Sequence, residues 1–163
     1  ICAISPKDPC FIIKIFDICY LNLVNQFIIK MENKSKKIMS EISIGELLDK
    51  ISILEIKVQK ITNKDDLKEV NKEYEILKKI QESSIKVEGE IEKLFNAIKS
   101  VNLSLWNVED ELRILEKNQD FGKNFIKLAR EVYFNNDKRS KIKSQINKMS
   151  GSNIREVKQY VDY

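Results

Sequence analysis

From Ser43 onward the apolar positions recur at alternating intervals of three and four. Ile44, Leu47, Ile51, Leu54, Val58 and Ile61 form an a/d stripe of six successive positions, the spacing that keeps one face of a helix against a neighbour. Ser43 stands three residues ahead of Glu46, a capping-box spacing that marks the helix start. Asn63 with Asp65–Asp66 supplies a turn and a second start. Leu67, Val70, Tyr74 and Leu77 then hold the same register until Gln81 and Ser84 interrupt it, and Ser83–Ser84 with Gly89 reads as a loop or a fray. The longest stripe follows: Ile91, Leu94, Ile98, Val101, Leu105, Val108, Leu112 and Leu115 occupy eight successive core positions. Asp120 is expected to cap a fourth helix with Phe121, Phe125, Leu128 and Val132 on its buried face. Asn135–Asn136–Asp137 reads as a break, Asp137 as the cap of a fifth helix carrying Ile142, Ile146 and Met149, and Gly151 as its C′ glycine.

This pattern predicts an all-α fold of antiparallel helical hairpins, a coiled-coil-like bundle forming a single domain over residues 39–163. Narrow a/d stripes bury less than a broad helix face, so a homo-oligomer or a protein partner is expected to cover the rest. The composition agrees. With 42% hydrophobic residues the chain can build a core, and with 4 Gly and 2 Pro it is too poor in turn residues for an all-β fold. The abundance of Ile, Lys and Asn reads as the coding bias of an AT-rich genome.

Residues 1–38 stand apart. The apolar run from Phe11 to Ile29 is broken by Lys14, Asp17, Asn22, Asn25 and Gln26. A membrane span needs about 20 mostly apolar residues and tolerates central charges poorly, so no stable span is expected. A signal peptide would want a basic start and a small-residue cleavage site, and neither is convincing. The sequence opens on Ile1, and the favoured reading of this leader is translated upstream sequence, with a membrane-associated segment as the alternative. Met39 is the preferred start and Met31 the second. Cys2, Cys10 and Cys19 all fall in the leader, an odd count that gives neither a disulfide framework nor a metal-ligand spacing. A cytoplasmic location is expected.

The chain contains no histidine, which removes the commonest general base and most catalytic zinc sites. No Gly-rich phosphate loop, nucleophile elbow or metal motif is present. The expectation is therefore a protein without catalytic residues, metal or cofactor. The charge is uneven: from Asp137 on, seven basic residues face three acidic ones, a difference equal to the whole net charge of +4. All four arginines, Arg113, Arg130, Arg139 and Arg155, lie in the C-terminal part. In a Lys-biased chain they point to places where a planar, bidentate guanidinium is wanted. The single tryptophan, Trp106, shares neighbouring helix turns with Glu109, Asp110 and Arg113, and Glu109–Arg113 is a ready i,i+4 pair. Core packing explains Trp106, surface ion pairing explains the charges and a turn explains Asn136–Asp137. Against that reading, Trp106, Arg113, Arg130, Asn136, Asp137, Arg139 and Lys143 are the candidate ligand-binding residues. Arg130, Arg139, Lys143 and Asn136 would bind an anion with help from the dipole of the fifth helix. Nucleic acid is disfavoured, since no aromatic residues are interleaved with the basic ones for stacking.

The segment Ser40–Lys57 (SEISIGELLDKISILEIK) resembles the opening of a small microbial family classed as a domain of unknown function. So do Leu105–Arg113 (LWNVEDELR), Phe125–Tyr133 (FIKLAREVY), Asn136–Arg139 (NDKR) and Ile142–Ser152 (IKSQINKMSGS), followed by Glu156 and Tyr160. The similarity covers Met39 to Tyr160 and does not reach the leader. Val157 departs from it, standing where a second acidic residue beside Glu156 is expected. The resemblance implies a helical fold and no established activity, with an association by neighbourhood with surface-glycan and sugar-transfer proteins. Two functions follow as expectations. The first is a non-enzymatic, self-associating interaction module; the second is a binding domain for an anionic small molecule such as a nucleotide-sugar or phosphate.

Overall fold

Among the described residues four helices follow one another: α1 Ile44–Lys60, α2 Lys64–Ser84, α3 Glu90–Lys117 and α4 Lys123–Met149. The computed structural model describes residues 38–159; residues 1–37 of the leader, which hold its three cysteines, and Tyr160 lie outside the described residues. The chain divides into two units, Ile1–Ser40 and Glu41–Tyr163. Of the first, Ile38, Met39 and Ser40 are described and are exposed. Every described element belongs to the second, and no strand occurs among the described residues, so the fold is all-α.

The α1 start is where the Ser43–Glu46 spacing puts it. Ser43 Oγ accepts from the Glu46 backbone N–H at 3.2 Å. The Glu46 side chain, however, does not return to Ser43, because it bonds Lys143 Nζ at 2.5 Å. The other leading donors of α1 are satisfied from the far end of the chain. Ile44 N–H donates to Ser152 Oγ at 3.2 Å and Gly45 N–H to Asn147 Oδ1 at 2.6 Å. Gly45 is required by this approach, since a Cβ there would lie 2.6 Å from the Lys143 carbonyl oxygen.

Asn63 caps α2 by accepting from the N–H groups of Asp65 and Asp66 at 2.9 and 3.2 Å. Two helices close with Schellman bonds that satisfy their last carbonyls. At the end of α4, Ser152 N–H donates to Asn147 O at 3.0 Å with Gly151 at φ +66°. At the end of α3, Asp120 N–H donates to Leu115 O at 3.0 Å, and here the left-handed position is held by Gln119 at φ 55°.

The expected break at Asn135–Asp137 does not occur, and α4 runs through it as one helix. Asn135 and Asn136 donate their side-chain amides to the carbonyls of Glu131 and Val132 one turn back, at 2.9 and 3.0 Å. Bonded that way, they stay helical instead of opening a turn. There is consequently no fifth-helix N-terminus at Asp137 and no dipole there to hold an anion. Asp120 likewise caps one step removed. The N-cap of α4 is Gly122, whose N–H Asp120 Oδ1 accepts at 3.1 Å, and Phe121 is exposed.

Packing departs from simple hairpins in one respect. α1 touches α2, α3 and α4, and α3 lies against α4. Along α1 only Glu46, Lys50, Gln59 and Lys60 are exposed, so the helix is buried round most of its circumference and not along an a/d stripe alone. It contributes five buried aliphatics (Leu47, Leu48, Ile51, Leu54 and Ile56) where α3 gives four, α4 three and α2 none. At about 1.5–3 kcal/mol for each fully buried side chain, α1 is the element the others fold around. Leu48 enters one cluster with Ile98, Val101 and Leu105 of α3 and Ile142 and Ile146 of α4. No helix among the described residues is long and apolar enough to cross a membrane.

Candidate functional site

A carboxylate sits in the middle of this packing. Asp49 follows Leu47 and Leu48 on α1 and is only 2% exposed. A buried charge is tolerated only with a close, well-bonded partner, and two side chains converge on it. Arg139 of α4 engages it side-on, Nε donating at 2.9 and 3.0 Å to its two oxygens and Nη2 at 2.6 Å to Oδ2. Asn102 of α3 donates Nδ2 to Oδ1 at 2.7 Å and also to Ser52 Oγ at 2.8 Å. Ser52 in turn donates to the Asp49 carbonyl at 2.7 Å. The network therefore ties α1, α3 and α4 together at one point. Its hydrogen bonds to Asp49 hold the Arg139 guanidinium above its ordinary pKa, against the opposing effect of burial.

In front of the pair lies a cleft of about 340 Å³. Its apolar surface comes from Ile53 and Ile56 of α1 and from Leu105 and Trp106 of α3. Its polar surface is formed by Asn102, Glu109, Asp110 and Arg113 of α3 and by Asn136 and Arg139 of α4. Helical spacing explains the α3 wall: residues 106, 109, 110 and 113 fall three and four apart and share a face. Arg113 bonds Glu109 at 2.8 Å and reaches Asp110 at 3.6 Å. On the other wall Arg139 Nη1 donates to Asn136 Oδ1 at 3.3 Å.

Four of the sequence candidates, Trp106, Arg113, Asn136 and Arg139, thus line one cleft. Lys143, one turn beyond Arg139, serves elsewhere. It is 7% exposed and bridges Glu46 at 2.5 Å and Glu156 at 2.8 Å. Burial works against its charge, but the bonds from Glu156 and Glu46 prevail and its pKa is raised. The same bond from Lys143, with help from Lys158, holds the Glu156 carboxyl below its ordinary range. Arg130 is separate too: its guanidinium lies 5.8 Å from the Phe134 ring centroid and Nε meets Tyr133 Oη at 3.2 Å. Asp137 lies within α4, partly buried, and does not line the cleft. No group of three or more metal-ligating side chains occurs among the described residues.

Asp49, Ser52 and Asn102 were not candidates from the sequence. The available signal was an acid set directly after Leu47–Leu48 and before Ile51, a position a broadly buried helix would turn inward.

A family model described as a family of unknown function, DUF6165, matches residues 37–162. The chain belongs to that family, as the motif blocks suggest, and the matched span holds all four helices and the whole cleft. No curated protein and no solved structure matches.

Proposed function

We propose that the protein is a non-catalytic binding module whose cleft takes a small organic ligand. The observation that carries this reading is the meeting of Trp106, Arg113, Asn136 and Arg139 around one apolar floor. Such a cavity, mostly apolar with a few converging polar groups, has the form of a ligand site, and its volume is at the lower end of the ligand-site range. Binding is preferred over catalysis because both acids on the α3 wall are engaged by Arg113, and Asp49 by Arg139. The ligand is not a polyphosphate. Glu109 and Asp110 offset Arg113 and Arg139, Asp49 adds a further negative charge behind them, and the helix dipole expected at Asp137 is missing. The test is native mass spectrometry of the full chain purified at low salt. A bound mass of small-molecule size is expected, and it should disappear in Trp106→Ala. Apo protein alone, with no small molecule retained from any preparation, would count against the reading.

A second reading, self-association, has its own observation. Ile126 and Phe134 are exposed on α4 beside Lys123, Lys127 and Arg130. On α2, Ile76 is exposed beside Glu69 and Glu73. Both patches are apolar, the α2 acids Glu69 and Glu73 being paired with Lys72 and Lys50, so a second copy, related by a two-fold axis, would cover each with the other. Sedimentation velocity should show a dimer that Ile126→Lys converts to monomer; a wild-type monomer at tens of micromolar would end this reading.

A further inference from the structure

Within the proposed cleft the side chains make unequal demands on a ligand, and these define its chemical class. Of the five N–H groups of a guanidinium, Arg139 spends Nε and one from Nη2 on Asp49, and one from Nη1 on Asn136. One N–H remains on each terminal nitrogen, and Arg139 lines the cleft. That pair of donors suits a carboxylate or another two-oxygen acceptor. The α3 wall asks for the reverse. Glu109 and Asp110 together carry two negative charges and Arg113 returns one, leaving an excess negative charge at that wall. Between the walls stand Trp106, Ile53 and Ile56.

Resting on the binding reading above, we infer that the cleft takes a small zwitterion of amino-acid type with an apolar side chain. Its carboxylate meets the free N–H groups of Arg139. Its ammonium meets Glu109 and Asp110, and its side chain lies against Trp106 and the aliphatic floor. A bare carboxylate would answer Arg139 and leave the excess negative charge of the α3 wall unmet. A bare amine would answer the acids and leave the Arg139 donors without an acceptor. The charge balance also distinguishes this ligand from phosphate, which brings two charges to a lining that already holds Glu109 and Asp110 against two arginines, with Asp49 pairing one of those arginines from behind.

Trp106 is the only tryptophan of the chain, so its emission reports directly on the cleft. The full chain is titrated with phenylalanine, phenethylamine, 3-phenylpropionate and inorganic phosphate. Phenylalanine should change the emission saturably, with both single-charge analogues about tenfold weaker or worse, the cost of one charge-assisted hydrogen bond left unmade. Asp110→Asn, at an exposed position outside the core, should weaken phenylalanine and leave 3-phenylpropionate unchanged. Equal binding by phenethylamine, 3-phenylpropionate or phosphate overturns the zwitterion while keeping the cleft as a site. No response to any of the four, together with no retained mass in the native spectrum, removes both the inference and the reading beneath it.

Discussion

Asp49 shows how much a single side chain can determine here. It is nearly without solvent, its carboxylate is held by Arg139 and Asn102, and Ser52 bonds its backbone carbonyl. Removing one partner of a buried ion pair leaves the other charge uncompensated, at about 3–5 kcal/mol. Arg139→Ala is therefore expected to lower the unfolding free energy in urea by an amount of that order, with Asn102→Ala costing less. Gly45 is the second such residue. A methyl group there meets Lys143 O at 2.6 Å and Asn147 Oδ1 at 2.8 Å. Gly45→Ala should thus cost roughly 1–3 kcal/mol as an overpacking change, although alanine is the better helix former. At this scale the sequence was informative about Trp106, Arg113, Asn136 and Arg139, since retained arginines and a lone tryptophan stand out against a Lys-rich background. It was silent on Asp49 and Asn102. Their importance comes from three helices meeting, and spacing along one helix says nothing of what the next will present.

Single helices were the most legible level. Strict alternation of three and four gave α1 to α3, capping chemistry gave the starts of the first two, and Asn63, Ser43 and Gly151 act at the positions their chemistry suggests. The miss lay at Asn135–Asn136, residues that favour turns in isolation but fold their amides back onto α4 when flanked by helix on both sides. A testable consequence concerns the end of α3. Gln119 holds a left-handed conformation that glycine adopts without the Cβ penalty, so Gln119→Gly should raise stability by about 0.5–1 kcal/mol in thermal or urea unfolding. The segment after α4 depends on charge. Glu156 faces Lys143 and Lys158, with Glu46 sharing Lys143. Because its folded carboxyl titrates below the ordinary range, its contribution is complete above that range and is lost as the pH falls through the folded value. The unfolding free energy should therefore decline as the pH drops below about 4.5, the ordinary carboxyl value, and Glu156→Gln should remove part of that decline in urea unfolding followed across pH.

For the whole molecule, the arrangement around α1 ranks the parts by how firmly they are held. Among the described helices α2 packs on α1 alone, buries no aliphatic side chain completely and leaves Ile76 and Ile80 exposed. Regions with few buried contacts open locally, well below the global unfolding energy. Hydrogen exchange should accordingly find the Ile76–Ser84 end of α2 exchanging by local opening, while amides around Ile98–Leu105 and Ile142–Ile146 wait for global unfolding. Helix order and class could be read from periodicity, but the central place of α1 could not. Its a/d stripe looked like that of any hairpin partner, and burial on its other sides depends on contacts far apart in the chain. The capping of α1 by Asn147 and Ser152 carries a consequence in time. Those partners lie 102 and 108 residues beyond Gly45 and Ile44. At about 5–20 residues per second, the helix with the most apolar surface, and with Asp49 still unpaired, is made some 5–20 seconds before the residues that complete it. The nascent chain must carry that surface unfinished until Asn147 and Ser152 have been made, so α1 is set to be completed only after the last of the four helices has been synthesised.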